Sequence, residues 1–316
     1  MYYVGIDLGG TKILVGVFTK EGKIIKKKMI MTPREKPWEE IGNEIVKCIK
    51  DVVKSVSLDV SDIKGIGLAV PGTLDIKRET ILLASNFGWK NIPFKEFIYS
   101  KINIPVKMEN DVNVSTLGVS YFGEGKGVSS LIGIFIGTGI GAGIIINGEL
   151  YIGYNGTAGE FGHMLIDIDG YKCGCGTRGC WEAQASRTAI YRIIDEHIKK
   201  EGKNTEVGRF FSEIENKGKA LIEGYKMGLD VVREAVDESS RFLGIGLGSI
   251  MSMFNPEMIA LGGGIIDDLG EFMMPVIRKT AVEYAIYGSA EGVKIIHTKL
   301  GSDGGIIGAA ALAMKE

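Results

Sequence analysis

The stretch VGIDLGGTKILVGVF, residues 4–18, decides how this chain begins to fold. Apolar residues alternate up to Leu8 and resume at Ile13, and the segment from Gly9 to Lys12 separates the two runs. Alternating apolar residues are typical of strands, and glycine is the usual residue of a tight turn between them. The stretch therefore predicts a hairpin of two buried strands around a glycine-rich turn.

The same pattern returns in the second half of the chain. In residues 131–146, LIGIFIGTGIGAGIII, two apolar runs flank the turn Gly137-Thr138-Gly139. A glycine-rich segment at 123–127 is the best candidate linker between the halves. Strands mixed with helical patterns in two similar halves predict two α/β domains with a cleft between them.

The remaining periodicities predict the other elements. Helical spacing of apolar residues predicts helices over Glu39–Val56, Trp181–Lys199, Leu229–Phe254 and Glu271–Tyr287, together with a helix after Asn110 and a last helix after Gly304-Gly305. Short apolar runs predict buried strands over Ile63–Val70, Ile104–Met108, Met258–Leu261 and Val293–Thr298.

Composition excludes several classes of protein. The chain has 316 residues, of which 45% are hydrophobic and 24% charged, as in ordinary globular proteins. Its formal net charge of -2 provides no overall attraction to nucleic acid or to anionic lipid. No run reaches the roughly 18 apolar residues of a membrane span, and the N-terminus lacks the pattern of a signal peptide. We therefore expect a cytoplasmic protein without a nucleic-acid or membrane partner.

The 46 glycines, against 7 prolines, mark places where backbone could meet a ligand. A strand follows each glycine turn, whereas a dinucleotide fingerprint needs a helix there, and neither turn has the spacing of a P-loop. What remains is a hairpin tip with free backbone N–H groups and a threonine hydroxyl, which suits an anion. Each turn alone is better explained by a tight turn between strands, but two such turns, each with a threonine, favour phosphate binding. Asp7, just before the first turn, suits either a phosphate-bound Mg²⁺ or a turn cap.

One cluster has the spacing of a metal site. His163, Cys173, Cys175 and Cys180 offer three thiolates and one imidazole, the ligand set of a closed zinc site. Free thiols are the alternative. A disulfide would leave one cysteine of the cluster unpaired and is disfavoured in a reducing compartment. Cys48, on the apolar side of a predicted helix, is predicted to be a small core residue.

Five motifs together resemble the ROK family, which groups bacterial sugar kinases with related repressors. They span residues 7–12, 109–113, 137–141, 160–163 and 173–182. The resemblance implies a two-domain actin-like ATPase (ribonuclease-H-like) fold, with sugar and ATP meeting in the interdomain cleft. We accordingly expect an N-terminal domain over 1–122, joined by the C-terminal helix 304–316, and a larger domain over 123–303.

The resemblance also implies roles for individual residues. Asp111 resembles the general base that accepts the proton of the attacking sugar hydroxyl. The implied sugar-binding residues are Gly72, Asn86, Asn110, Asp111, Glu160, His163 and Glu182. The implied nucleotide-binding residues are Asp7, Gly9, Gly10, Thr11, Lys12, Thr138, Gly139, Gly262, Gly263 and Gly264. A structural Zn²⁺ on the cysteine cluster would orient His163. The segment Gly301 to Gly305 departs from the family's terminal motif, with little consequence expected.

The implied activity is ATP- and Mg²⁺-dependent phosphorylation of a hexose, with glucose favoured over fructose, mannose, allose and N-acetylhexosamines. Polyphosphate as the donor and a sugar-responsive regulator are the alternatives. The repressors carry a DNA-binding segment ahead of the first motif, and Asp7 lies only six residues after Met1, so we expect none. Relatives of this kind suggest a homodimer or homotetramer.

Overall fold

The computed structural model of this chain describes residues 1–202, 205–214 and 216–315. The strands are β1 (Tyr2–Leu8), β2 (Lys12–Thr19), β3 (Ile24–Met31), β4 (Ile63–Val70), β5 (Thr73–Leu74), β6 (Ile81–Ala84), β7 (Trp89–Ile92), β8 (Val106–Asn110), β9 (Leu131–Ile136), β10 (Ile140–Ile146), β11 (Glu149–Leu150), β12 (Met258–Gly262) and β13 (Lys294–His297). The helices are α1 (Trp38–Lys54), α2 (Phe94–Ile102), α3 (Asp111–Phe122), α4 (Trp181–Ala185), α5 (Arg187–Glu201), α6 (Glu206–Glu213), α7 (Lys217–Met227), α8 (Asp230–Phe254), α9 (Gly264–Tyr284) and α10 (Gly304–Met314).

The chain divides into two compact units. The first unit comprises Met1–Gly133, Gly143–Gly159 and Thr298–Glu316, and the second comprises Ile134–Ala142 and Glu160–His297. The domain boundary that the sequence analysis places after residue 122 stays a prediction.

The first unit contains a five-stranded sheet in the order β3-β2-β1-β4-β8. Strands β1 and β2 form the predicted antiparallel hairpin, with Leu8 opposite Ile13. Strands β4 and β8 run parallel to β1, so the carboxyl ends of these three strands lie at one edge of the sheet. Asp7 pairs with Ala69 in this register, and Val70 pairs with Asn110. Residues that follow the three strands therefore meet at that edge, where open α/β sheets bind their ligands.

Helices cover both faces of this sheet. Val4, Ile6 and Leu8 are fully buried in one core with the apolar stripe of α1. The alternate residue Gly5 faces α10, where a Cβ would overlap the carbonyl oxygen of Ile306. Period-two alternation thus directs bulky side chains to α1 and leaves a bare backbone surface for α10.

The second sheet has the order β11-β10-β9-β12-β13, and a small third sheet contains β5, β6 and β7. Within the second unit, α8 packs along α9 and also contacts α4, α5 and α7. The predicted helix over Leu229–Phe254 is thus present as α8, and one of its faces is buried. Among the described residues, no helix combines the length and the apolar character that crossing a membrane requires.

Two predicted helices differ from the structure. The helix predicted over Trp181–Lys199 is two helices, because Ser186 is extended and its hydroxyl accepts a hydrogen bond from the Ala189 N–H, which begins α5. The helix predicted to begin at Glu271 begins at Gly264. Glycine at the first helical position is a poor helix signal, so the sequence pattern missed the first turns of α9.

Candidate functional site

The candidate site in the first unit forms where β1, β4 and β8 end. Asn110 closes β8 and is the N-cap of α3: its Oδ1 accepts hydrogen bonds from the N–H groups of Val112 (2.9 Å) and Asn113 (3.3 Å). Its Nδ2 donates to the carbonyl oxygen of Gly72 (3.1 Å), in the turn after β4. A residue with an amide side chain thus caps the helix and joins two loops at once. The structure therefore brings Gly72, Asn110 and Asp111 together.

Asp111 is the first residue of α3, and its Oδ1 accepts a hydrogen bond from the Val112 N–H (3.0 Å). The pKa of Asp111 is raised to about 6. Burial is the larger cause, and the negative charge of Asp7 is the second. Burial likewise raises the pKa of Asp7 to about 6, while the Lys12 ammonium acts in the opposite direction. Burial thus raises the pKa of both carboxyl groups, and the negative charge of Asp7 also raises that of Asp111, a combination found at many active sites.

The tip of the first hairpin is open to solvent. The Gly9 N–H donates to the carbonyl oxygen of Lys12 (3.0 Å), and the Thr32 hydroxyl donates to the carbonyl oxygen of Gly9 (2.7 Å). Thr11 and Lys12 are exposed, and apart from Gly10 and its chain neighbours no described heavy atom lies within 4 Å of the place that a Cβ on Gly10 would occupy. The tip can therefore present a threonine hydroxyl and an ammonium group to an anion.

Gly305 lies against the side chain of Asp7, a residue of the candidate site. A Cβ on Gly305 would lie 2.6 Å from the Cγ and from the Oδ2 of Asp7. The Asp7 carboxyl group thus lies against the first turn of α10, where the helix dipole favours negative charge. The terminal glycine segment therefore borders Asp7, and the expectation that its departure from the family's motif has little consequence stays a prediction.

Arg78 and Glu109 lie behind the Asn110–Asp111 motif, and sequence reasoning assigned neither of them. Arg78 Nε donates a hydrogen bond to Glu109 Oε2 (2.7 Å), and the Asn110 N–H donates to Glu109 Oε1 (2.8 Å). A charged residue within a buried strand end, immediately before the motif, was the available signal. Asn86 lies apart from this network, in the exposed turn after β6, where its carbonyl oxygen accepts a hydrogen bond from Arg34 Nη2 (2.6 Å).

The second glycine hairpin belongs to the second unit. The Gly137 N–H donates to the carbonyl oxygen of Gly139 (2.9 Å), which closes the turn between β9 and β10. Glu182 Oε2 accepts a hydrogen bond from the Ile140 N–H (3.3 Å), and a Cβ on Gly139 would collide with that oxygen. Thr138 is exposed. Glu182, predicted to bind sugar, therefore lies directly against the predicted phosphate turn.

The starts of α5 and α9 converge on this hairpin. The Arg187 N–H donates to the carbonyl oxygen of Gly137 (3.0 Å), and the Thr188 hydroxyl donates to that of Thr138 (2.7 Å). Gly263 adopts φ 88°, and a Cβ on it would lie 2.5 Å from the carbonyl oxygen of Ile136. Gly264 begins α9, and a Cβ there would lie 2.7 Å from Arg187 Nη2. The structure thus joins the predicted nucleotide glycines to the second hairpin.

Sequence reasoning missed Arg187 and Thr188, because the predicted helix ran through Ser186 without a break. Ser186 itself was the available signal, since serine is a preferred N-cap residue. Arg187 Nη2 also forms an ion pair with Asp268 Oδ2 (3.0 Å), which links the first turns of α5 and α9.

The four predicted metal ligands form one cluster. The candidate ligand atoms of His163, Cys173, Cys175 and Cys180 all lie within 4.8 Å of one another. Cys173 Sγ lies 3.7 Å from His163 Nδ1, and Cys175 Sγ lies 3.6 Å from Cys180 Sγ. Ligands bound tetrahedrally at about 2.3 Å stand about 3.8 Å apart. The donor set and its spacing therefore fit zinc.

The two ring nitrogens of His163 face different partners. Nδ1 faces the thiol cluster and lies 3.7 Å from Glu182 Oε1, whereas Nε2 lies 3.8 Å from Glu160 Oε2. This orientation agrees with a histidine that holds a metal through Nδ1 and leaves Nε2 for a ligand. Hydrogen bonds from Thr177 lower the pKa of Cys175 to about 6, and burial raises that of Cys173.

Comparison with known proteins finds similarity along the whole chain. The family described as "ROK family" matches residues 3–316. A glucokinase of Streptomyces coelicolor is 34% identical over 316 aligned residues, which cover 98% of this chain and 96% of that protein. A xylose repressor of Caldicellulosiruptor bescii is 31% identical, over 99% of this chain and 78% of the repressor.

A solved structure agrees with these sequence matches. The crystal structure of a ROK family glucokinase from Streptomyces griseus, in complex with glucose and AMPPNP, superposes with a TM-score of 0.82 at 33% identity. The match covers 99% of each of the two chains. The predicted family resemblance and the predicted α/β fold of the actin-like ATPase class are confirmed.

Proposed function

Because this chain belongs to the ROK family, we propose that it transfers the γ-phosphate of ATP to a hexose, with glucose as the acceptor and glucose 6-phosphate as the product. Relatives named glucokinase, and the glucose and AMPPNP of the Streptomyces griseus structure, support the choice of substrates. The observation that carries the proposal is the Asp111 carboxyl group, held at the start of α3 by the Asn110 cap and raised in pKa.

Asp111 acts as the general base in this proposal. With a pKa of about 6 the carboxyl group is largely ionised at pH 7, yet it is basic enough to take a proton. It accepts the proton of the sugar hydroxyl as that oxygen attacks the γ-phosphorus, the bond between the β,γ-bridging oxygen and the γ-phosphorus breaks, and ADP leaves. Asn110 and Gly72, joined by their hydrogen bond, orient the sugar beside this base.

Each hairpin tip offers groups that suit the phosphate groups of ATP in this proposal. Thr11 and Lys12 are exposed at the first tip, and Thr138 and Gly139 form the second. Phosphoryl transfer depends on alignment and on stabilising charge, which backbone N–H groups, hydroxyls and an ammonium group supply. Gly263 and Gly264 offer bare backbone to the rest of the nucleotide. Gly9, Gly10 and Gly262 complete the proposed nucleotide set.

Two metals belong to the proposal. Mg²⁺ neutralises phosphate charge when bound, and the buried carboxyl group of Asp7 is the residue placed to hold it. Zinc on the Cys₃His cluster would have a structural role, because His163 would hold it through one ring nitrogen and its ring would be fixed. Nε2 of His163, beside Glu160, would then remain for a sugar hydroxyl. Glu160, His163, Glu182 and Asn86 complete the proposed sugar set.

A sugar-responsive regulator is the second candidate, since a xylose repressor is 31% identical. Retention of both Asp7 and Asp111 in a desolvated pair favours the kinase, because sugar binding alone needs no general base. Because ATP is the proposed donor, we propose that the protein acts in the cytoplasm. We also propose a homodimer or homotetramer, as family resemblance suggests.

A coupled assay of ADP release tests this function. The purified protein, with ATP and Mg²⁺, is offered glucose, fructose, mannose, allose and two N-acetylhexosamines, and each sugar is repeated with polyphosphate as the donor. We expect the highest kcat/KM with glucose and ATP. Asp111→Ala is expected to lower kcat at least about 100-fold, within the range for loss of a general base, while calorimetry still detects glucose binding.

The matched control is Asp51→Asn, which changes an exposed carboxylate of the same unit that forms an ion pair with Lys28. Asp51→Asn is expected to leave kcat unchanged. If the wild-type protein phosphorylates none of these sugars but binds one of them, the kinase proposal is wrong and the regulator is favoured. Preference for another hexose would correct only the substrate.

A further inference from the structure

The carboxylate of Glu109 is buried at the end of β8, with the residue only 4% exposed. Its two oxygens accept hydrogen bonds from three donors. Oε1 accepts from the Asn110 N–H (2.8 Å) and from Asn113 Nδ2 (3.0 Å), and Oε2 accepts from Arg78 Nε (2.7 Å). Glu109 therefore holds the residue before Asp111 and the residue two positions after it.

Arg78 completes this network from the turn between β5 and β6. Its side chain is 13% exposed, and all three guanidinium nitrogens have partners. Nη1 donates to the carbonyl oxygen of Asp75 (3.2 Å), and Nη2 donates to that of Gly156 (3.1 Å). Gly156 leaves room for the guanidinium, since a Cβ there would lie 2.5 Å from Nη1.

The turn itself is shaped for this arginine. Arg78 has φ 56°, a left-handed conformation that a residue with a long side chain rarely adopts. Asp75 Oδ1 accepts hydrogen bonds from the N–H groups of Glu79 and Thr80, both at 2.7 Å, which stabilises the turn. These hydrogen bonds thus stabilise the turn in which Arg78 has a strained backbone, and from this turn its guanidinium contacts Glu109.

Stability alone is a weak reason for such an ion pair. Burying two charges costs desolvation energy that their attraction only about repays, and apolar residues of similar volume are often as stable. What this pair adds is geometry. The Asn110 N–H is held by Glu109, and the Asn110 side chain is held by α3 and Gly72. The backbone at the start of Asp111 is therefore constrained from both sides.

We infer that the buried Arg78–Glu109 ion pair is a positioning device, which fixes Asn110 and the first turn of α3 so that Asp111 meets the attacking hydroxyl of the sugar. The inference rests on the proposed function. Neither residue touches substrate in this assignment. Through Gly156 the same guanidinium also anchors the segment that leads to Glu160, which belongs to the proposed sugar set.

Two single variants and one core variant test the inference. Glu109→Gln keeps the shape of the side chain but places an amide donor against Arg78, and Arg78→Lys keeps the charge but cannot contact Glu109, Asp75 and Gly156 together. The core control is Ile49→Ala, a fully buried residue of α1 in the same unit, which is destabilising without touching the network. Kinetics are measured well below the melting temperature of each variant.

We expect kcat to fall about 10- to 100-fold in Glu109→Gln and in Arg78→Lys, because misplacement by about 1 Å has effects of this size. The KM for ATP should stay within about twofold of wild type, since no nucleotide residue is moved. Ile49→Ala should keep the wild-type kcat in spite of its lower stability. A lower kcat in the two network variants, with an unchanged kcat in the destabilised core variant, distinguishes a positioning role from a merely structural one.

If Glu109→Gln does not fold, the double variant Arg78→Met with Glu109→Gln replaces it, because it leaves no unpaired buried charge. It is expected to fold and to keep a kcat at least about tenfold below wild type, since methionine holds neither the new amide side chain nor the carbonyl oxygen of Gly156. A wild-type kcat in the folded single or double variants would overturn the inference while leaving the kinase intact. An inactive wild-type protein would instead overturn the proposed function, and the inference with it.

Discussion

At the scale of the residue, Asp111 affects both the stability of the protein and its proposed activity. Its raised pKa means that folded Asp111 binds a proton more tightly than unfolded Asp111 does. The stability from that proton is present at low pH and is lost as pH rises through about 6. At neutral pH the chain therefore folds against the cost of a buried, ionised carboxylate beside Asp7.

Replacing Asp111 by asparagine should consequently stabilise the protein while removing its activity. At pH 7 we expect Asp111→Asn to raise the free energy of unfolding by roughly 1–3 kcal/mol, because about two pKa units correspond to that range. At pH 4 wild-type Asp111 is already protonated, so the difference should nearly vanish. Denaturant melts of both proteins at the two pH values measure the effect.

Asp51→Asn is the control for this prediction. The Lys28 hydrogen bond lowers the pKa of Asp51, so its contribution has the opposite sign, and no stabilisation is expected at pH 7. An Asp111→Asn protein that melts below wild type at pH 7 would show that the carboxylate is not buried at a cost.

At the scale of the element, glycines decide how closely α10 approaches its neighbours. A Cβ on Gly308 would overlap the carbonyl oxygen of Val114 in α3, and one on Gly67 would overlap that of Ala309. No side-chain rotation relieves a clash with backbone, so helix and sheet would have to separate. The three elements pack on bare backbone instead of on interlocking side chains.

Gly308→Ala should therefore destabilise the first unit, although alanine favours helices. We expect a loss of about 1–3 kcal/mol, the usual cost of overpacking. Gly218→Ala is the matched control, because its Cβ would make only ordinary contacts, at 3.4 Å to Asn216 Oδ1 and 3.5 Å to Asp268 Oδ2. Since Gly218 is the second residue of α7, that change should alter the free energy of unfolding by no more than about 0.5 kcal/mol. Thermal melts of both variants compare the two, and equal effects would contradict the packing argument.

The segment from His163 to Cys180 contains little regular secondary structure. After the short turn Phe161–His163, the backbone of this segment forms isolated bridges, such as Leu165 with Cys180, and turn hydrogen bonds. A segment with so few ladder hydrogen bonds depends on another constraint, and a bound zinc would supply it.

Removal of zinc should loosen this segment and weaken sugar binding. Elemental analysis should find about one zinc per chain, as expected for one closed site. Cys175→Ser should release the metal, speed amide exchange over residues 163–180 and raise the Kd for glucose. Cys48→Ala, which removes a core thiol outside the cluster, should retain the metal. A fully active, metal-free protein would remove zinc from the proposal.

At the scale of the whole molecule, the two ends of the chain build one unit. Ile306 and Ala310 of α10 pack against Leu14 and Phe18 of β2, and all but Leu14 are fully buried. Ala309 packs against Ala69 and Val114. One face of the first sheet therefore stays uncovered until the C-terminal helix α10 has packed against it.

Deletion of residues 304–316 should unfold the first unit. It would expose Leu14 and Phe18, each worth about 1.5–3 kcal/mol of burial, together with the sheet face under α10. Hydrogen exchange should show lost protection in β1 and β4, with β12 of the second unit as the internal reference. Native protection of β1 in the truncated chain would contradict this role of α10.

Several local features of the fold and of the candidate site could be predicted from the sequence. The hairpin at residues 4–18, the start of α3 after Asn110 and the burial of Cys48 were all predictable, because each depends on local alternation, spacing or helix periodicity. The clustering of Cys173, Cys175 and Cys180 with His163 was predictable because close sequence spacing limits how far those ligands can separate.

The sequence by itself determined the family, the α/β class, both glycine turns and the identity of the proposed base, since these follow from local patterns and motifs. Only the tertiary structure decided that Gly305 lies against Asp7, that Arg187 meets Gly264 and that Arg78 reaches Glu109. These pairs are separated by tens to hundreds of residues. No local pattern encodes them, because such contacts exist only once the strand register and the helix packing have brought distant segments together.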